Sequence, residues 1–194
     1  RKQCEQEITA LLAEAGEPPK FTGLAVGGIV PHAGWVFSGA VAAEVIALLA
    51  GQTGVETFVV FGAMHRYASR AAGSVCARGA WETPLGHVRV DQEFIKALAE
   101  KGTIEINDKA LANEHSIEVQ LPFLQFIRDG EEEKVKIVHW VPDSSKECTV
   151  YMPDGTKKEG RAERIPDDEV GKVVQFERRD PDRARRDPAY LILG

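Results

Sequence analysis

The strongest constraint in this sequence is a three-part alternation near its start. An apolar run, FTGLAVGGIV (21–30), leads into an alanine-rich stretch, SGAVAAEVIALLAG (38–51), and then into a β-branched and aromatic run, ETFVVFGAMH (56–65). The outer runs have strand length and composition, and the middle one consists of good helix formers, with Ser38 as the expected N-cap and Gly51 as the stop. Strand, helix and strand with short connections make a βαβ unit. Its right-handed crossover predicts two parallel strands lying side by side in one sheet.

Parallel strands end at the same edge of a sheet, and here each is followed by a histidine. His32 comes after Pro31, and His65 after Gly62, Ala63 and Met64. The carboxyl edge of an open α/β sheet is where ligands bind. Two imidazoles from neighbouring strand ends can share a metal or act on one substrate, and Gly34, Gly39 and Gly62 would allow close approach there. His115 lies in NEHSIE, where Asn113 is the expected helix cap and Glu114 falls in the first turn, favourable to the helix dipole. Glu118 is near enough to His115 in sequence to make a polar pair with it. His87, after a Pro-Leu-Gly turn, and His139, in an alternating run, read as ordinary surface or half-buried residues.

The remaining segments extend an α/β pattern. Ile8, Leu11, Leu12 and Ala15 recur at helical spacing over 3–15, closed by Gly16. GSVCARGAWETPLGHVRVD (73–91) reads as extended segments joined by a turn at Thr83–Gly86, and QEFIKALAEKG (92–102) as a short helix. EHSIEVQLPFLQFIRDG (114–130) is helical, kinked or split by Pro122, and KVKIVHWVP (134–142) is a strand. Beyond this the texture changes to short extended runs around a Pro-Asp-Gly turn, followed by a charged, proline-bearing tail. The expected fold class is α/β, a mostly parallel sheet flanked by helices over 1–134. A small β-rich segment (135–178) and a poorly ordered tail (179–194) complete the expected organisation.

Several function classes lack a signal. No apolar run approaches the roughly 18 residues of a membrane helix, so no membrane partner is expected. Cys4, Cys76 and Cys148 are widely spaced and odd in number, which fits free thiols in a reducing, cytoplasmic setting. Cys76, in a strand, reads as a structural thiol. Glycine-rich phosphate loop, HExxH and nucleophile-elbow motifs are absent. Residue 1 is Arg and opens a charged amphipathic stretch with no apolar signal core, so the expectation is a processed start or a fragment.

Taken in order, PHAGWVFSGAVAA, GAMH, WETPLGHVRVD and EHSIEVQLPFLQF resemble the Memo-like proteins, also called AmmeMemoRadiSam system protein B in prokaryotes. The resemblance covers about residues 1–134. It implies a fold similar to class III extradiol dioxygenases and a histidine-lined pocket able to hold iron or copper. His32 and His65 match the family's first two pocket histidines and are the expected metal ligands. With His115 in the pocket wall they form the expected catalytic set, and Tyr67 and Glu118 are the expected substrate contacts, for a small molecule or a peptide. The family pattern continues with an Asp and a His in a serine-rich DLSH-like segment and a cysteine near the end, and neither motif is found after residue 135 here. Low or no activity is therefore expected of the chain as it stands, and a non-catalytic ligand- or peptide-binding protein is the alternative.

A second resemblance concerns HWVP, MPDGT, EG and GKVVQFER, within 136–178, which look like the C-terminal β-barrel region of archaeal-type glutamyl-tRNA synthetases. It implies a join of two gene fragments near 134–138 and tRNA as a partner of 136–178. Charge argues against that partner: residues 135–194 carry equal numbers of basic and acidic side chains, and the whole chain has a net charge of −6.

Overall fold

Alternation along the strand Thr57–Phe61 explains how the layers are arranged. Phe58 and Val60 point to one face of the sheet and join the larger core, whereas Val59 points to the other face and joins a second, smaller core. A strand buried on both faces needs helices on both sides, since successive side chains alternate across a sheet. In the computed structural model these layers are formed by residues 1–17, 25–52, 54–63, 65, 73–77, 79–100, 104–111 and 114–128, with strands at 136–142, 147–151, 157–161, 173–174 and 189–193; these are the described residues.

In chain order, α1 (Lys2–Ala15) precedes β1 (Gly27–Ile29), α2 (Trp35–Ala50) and β2 (Thr57–Phe61). Next come β3 (Gly73–Val75), the hairpin of β4 (Ala80–Thr83) and β5 (Gly86–Val90), α3 (Gln92–Ala99) and β6 (Glu105–Ile106). Three short helices follow, α4 (Asp108–Leu111), α5 (His115–Glu118) and α6 (Leu121–Ile127). The chain continues through β7 (Lys136–Pro142), β8 (Glu147–Tyr151), β9 (Lys157–Arg161), β10 (Val173–Val174) and β11 (Ala189–Leu193).

The main sheet is mixed, with the order β10-β1-β11-β2-β7-β3-β6, and the β4–β5 hairpin attached through β5 to β7. Strands β1, β11, β2 and β7 run parallel in succession, while β10 pairs antiparallel with β1 and β3 antiparallel with β7. The fold is thus mixed α/β.

Two expectations about this sheet change. Strands β1 and β2 share a direction but are not neighbours, because β11 lies between them, pairing Gly27–Ile29 on one side and Thr57–Phe61 on the other. A right-handed crossover fixes the hand and direction of its two strands but leaves room for a strand between them. That strand comes from the tail read as poorly ordered: AYLIL, aromatic and aliphatic, suits an interior strand, although it is too short to show a period. Strand β7 falls inside the segment expected to be separately β-rich from 135 onward, yet it pairs with β2 in the main sheet. Beyond it, β8 and β9 form an antiparallel pair of their own.

On one face α1, α2 and α6 pack together. Ile8 of α1, Ile46 and Leu49 of α2, and Phe123 and Leu124 of α6 are fully buried with Phe58 and Val60. Gly39 is where α1 crosses α2: a β-carbon there would stand 2.8 Å from Leu11 Cδ1, so this glycine serves helix packing rather than ligand approach. Arg128, after α6, donates to the carbonyls of Ala50, Gln52 and Val55 and ties down the turn from α2 into β2. On the opposite face Ile95 of α3 packs with Val59, Val75, Val90 and Ile104. The side chain of Asp91 caps α3 at Phe94 N and also accepts from Thr57 Oγ1 at 2.8 Å, joining the helix start to the base of β2.

Candidate metal centre

Local sequence sets the position of each histidine. Helix α2 begins at Trp35, with Gly34 as N-cap, one turn earlier than expected. Ser38 sits inside that first turn, donating to the Ala33 carbonyl rather than capping. The PHAG turn is therefore short, and it holds His32 between the end of β1 and the start of α2. His65 lies just past the end of β2, at the same sheet edge. His115 opens α5, and the cap is Glu114 itself, whose carboxylate accepts from Ser116 N. Asn113, the expected cap, lies outside the described residues. Pro122 splits the helical run as anticipated, falling in the first turn of α6, where a missing N–H is harmless.

Three side chains fasten these motifs together. Trp35 Nε1 donates to the Val119 carbonyl at 2.7 Å, and its indole lies 4.8 Å from the Phe123 ring, so the PHAGW turn is tied to the EHSIEV segment. Ser116 Oγ accepts from Ala63 N at 3.0 Å and donates to the Ala63 carbonyl. Glu114 Oε2 accepts from His65 N at 3.0 Å, and Glu114 Oε1 lies 2.8 Å from His65 Nδ1. Gly62 permits this approach, since it has no room for a side chain against Ser116 and Ile117.

As a result three imidazoles converge. The His65 and His115 rings stack with centroids 4.7 Å apart, and His32 stands edge-on to both at 5.3 and 6.0 Å. One ring nitrogen from each lies within 4.8 Å of the other two. His32 is half-buried, whereas His65 and His115 are exposed. Burial, and next the neighbouring imidazoles of His65 and His115, push the His32 pKa below its ordinary value, partly offset by Glu114. Both effects favour the neutral imidazole of His32, the form whose nitrogen lone pair can bind a metal. For Glu114, burial pushes the pKa up, but the N–H groups of Ser116 and His65 and the His65 ring outweigh it and hold the carboxyl at about 2.

The donor set suits a transition metal. Imidazole binds iron, copper, nickel and zinc, with metal–nitrogen distances of about 2.0–2.1 Å for zinc. Bonds of about 2.1 Å to one ion require ligand nitrogens within about 4 Å of one another, so nitrogens up to 4.8 Å apart would have to draw closer on binding.

Glu118 lines a cleft of about 490 Å³ with Cys4, Trp35, Pro84 and Pro122, and the three histidines are not among its lining residues. Tyr67 lies outside the described residues. His87 is exposed on β5, and His139 stands opposite Val60 in the β2–β7 ladder. Two residues central to the arrangement, Glu114 and Ser116, were not expected to join it. Their signal is a carboxylate at an N-cap with a hydroxyl two residues on, but the partners lie about 50 positions away in the chain.

The sequence pattern of the Memo-like protein family matches residues 1–149. The chain belongs to the Memo-like family. A MEMO1 family protein of Pyrobaculum aerophilum is 38% identical over 151 residues, which cover 76% of this chain and 53% of that protein. One from Methanopyrus kandleri is 48% identical over 102 residues, 52% of this chain and 36% of that protein. One from Saccharolobus solfataricus is 42% identical over 131 residues, 67% of this chain and 45% of that protein. The Memo-like chain thus spans about half the length of the curated relatives it matches. The Memo match runs past 134–138, where a join was expected, and overlaps the first part of the synthetase-like segment, 136–149. The comparisons give the synthetase reading of 136–178 no support.

Proposed function

We propose that this Memo-like chain carries a three-histidine metal centre, with His32, His65 and His115 as its ligands and iron or copper as its ion. The single observation that carries the reading is the convergence of one ring nitrogen from each histidine within 4.8 Å of the others, at the carboxyl edge of the sheet. Half-burial of His32 favours its neutral form, which is the form that binds a metal. Once bound, such an ion supplies Lewis acidity and one-electron redox chemistry. The reaction class we assign to such a centre is oxidation of the dioxygenase type, with molecular oxygen as oxidant, on a small molecule or peptide reaching the open side of the His65–His115 stack. In this chain, where the DLSH-like segment and the family's later cysteine motif are not found after residue 135, low or no turnover is expected. In this reading the metal domain is built on 1–134, with β7 and β11 completing its sheet, and the protein works in the cytoplasm.

The test is an anaerobic calorimetric titration of the purified chain with Fe²⁺, beside a His32→Ala, His65→Ala double variant. We expect one equivalent bound by the wild type and none with comparable affinity by the variant. Equal binding by both would remove the site.

A further inference from the structure

We propose that Glu114 is the positioning residue of this centre: its carboxylate fixes the proton of His65 on Nδ1 and so commits Nε2 to the metal. The inference rests on the metal reading above and names the atom through which His65 acts.

Both oxygens of Glu114 are already acceptors. Oε1 takes the Ser116 N–H at 2.9 Å, and Oε2 takes the His65 N–H at 3.0 Å. An ionised carboxylate has no hydrogen to give, so the 2.8 Å contact between Oε1 and His65 Nδ1 needs its hydrogen on the ring. In a neutral imidazole a hydrogen on Nδ1 leaves the lone pair on Nε2. The same Oε1 lies 3.8 Å from Nδ1 of His115, so one carboxylate sits beside the Nδ1 atoms of both stacked rings.

Only a carboxylate satisfies this arrangement. An amide at 114 would turn its NH₂ either toward the His65 N–H or toward the Ser116 N–H, setting donor against donor. Glu114 is also buried, with 6% of its surface exposed, so water does not readily replace it. A carboxylate that accepts a hydrogen bond from the remote nitrogen of a ligand histidine orients the ring and raises its basicity, and losing such a partner typically lowers metal affinity about 10–100-fold.

The experiment has two readouts. The first is the ¹⁵N–¹H spectrum of the metal-free protein at pH 8, which reports the tautomer of each ring. We expect His65 to carry its hydrogen on Nδ1 in the wild type and to lose that preference in Glu114→Gln and Glu114→Ala. The second is the Fe²⁺ titration of variants that keep wild-type circular dichroism, for which we expect affinity about 10–100-fold lower. Hydrogen on Nε2 of His65 in the wild type would overturn the assignment, even if neither variant folds. Wild-type affinity in a folded variant would overturn the positioning role. Nδ1–H in the wild type with no Fe²⁺ uptake would instead sink the metal reading and leave the tautomer assignment standing.

Discussion

A β-carbon placed on Gly62 would lie 2.5 Å from Oγ of Ser116 and 2.6 Å from Cγ1 of Ile117. The end of β2 and the start of α5 thus meet with no space between them, and His65 and His115 are carried in on either side of that contact. Gly62→Ala should cost about 1–3 kcal/mol through overpacking. Because the clash separates β2 from α5, it should also weaken Fe²⁺ binding. Urea unfolding and metal titration of the variant check both effects, and a variant with unchanged midpoint and affinity would show that the contact relaxes freely.

Trp35 makes the corresponding link for His32. Trp35→Phe keeps an aromatic ring near Phe123 but cannot donate to the Val119 carbonyl, so a loss of about 1 kcal/mol is expected. Thermal unfolding measures it. The PHAG turn should also become looser, seen as faster amide hydrogen exchange at Gly34 and Trp35.

How far this arrangement was legible in the sequence depends on the range of each contact. His32 and His65 follow two strand-like runs of a βαβ pattern, and period alone was enough to bring them to one edge. The strand between them was not legible: AYLIL follows a charged stretch with prolines, and five residues show no period. The start of α2 was misplaced because Ser38 is a better N-cap by type than Gly34, although the turn after Pro31 and His32 leaves the helix free to begin at Trp35. Glu114 reads as a first-turn acid favourable to the helix dipole, and its use as a bridge to His65 follows only from tertiary contact. Glu118, one turn further on, faces the cleft beside Cys4 and Trp35. The assignment of His115 to the pocket rested on family resemblance, and the structure stacks it on His65.

Acid should loosen this segment in a defined window. A carboxyl whose pKa is lower in the folded than in the unfolded state stabilises the fold fully above its unfolded value, and that contribution disappears as pH falls through the folded one. For Glu114 the limits are 4.5 and about 2, so its contribution of at most about 3 kcal/mol should fade between them. Urea unfolding at a series of pH values between 5 and 2 checks this. Glu114→Gln should show a shallower decline than the wild type, and parallel curves for the two proteins would contradict the role of this carboxylate.

In the proposed centre three imidazoles from three separate motifs share one ion. X-ray absorption of the chain loaded with one equivalent of Fe²⁺ tests it most directly, because outer-shell imidazole scattering counts histidine ligands. Three imidazole nitrogens at about 2.1 Å are expected, falling to two in His115→Ala. A first shell of oxygen alone, or an imidazole count unchanged by that substitution, would contradict it.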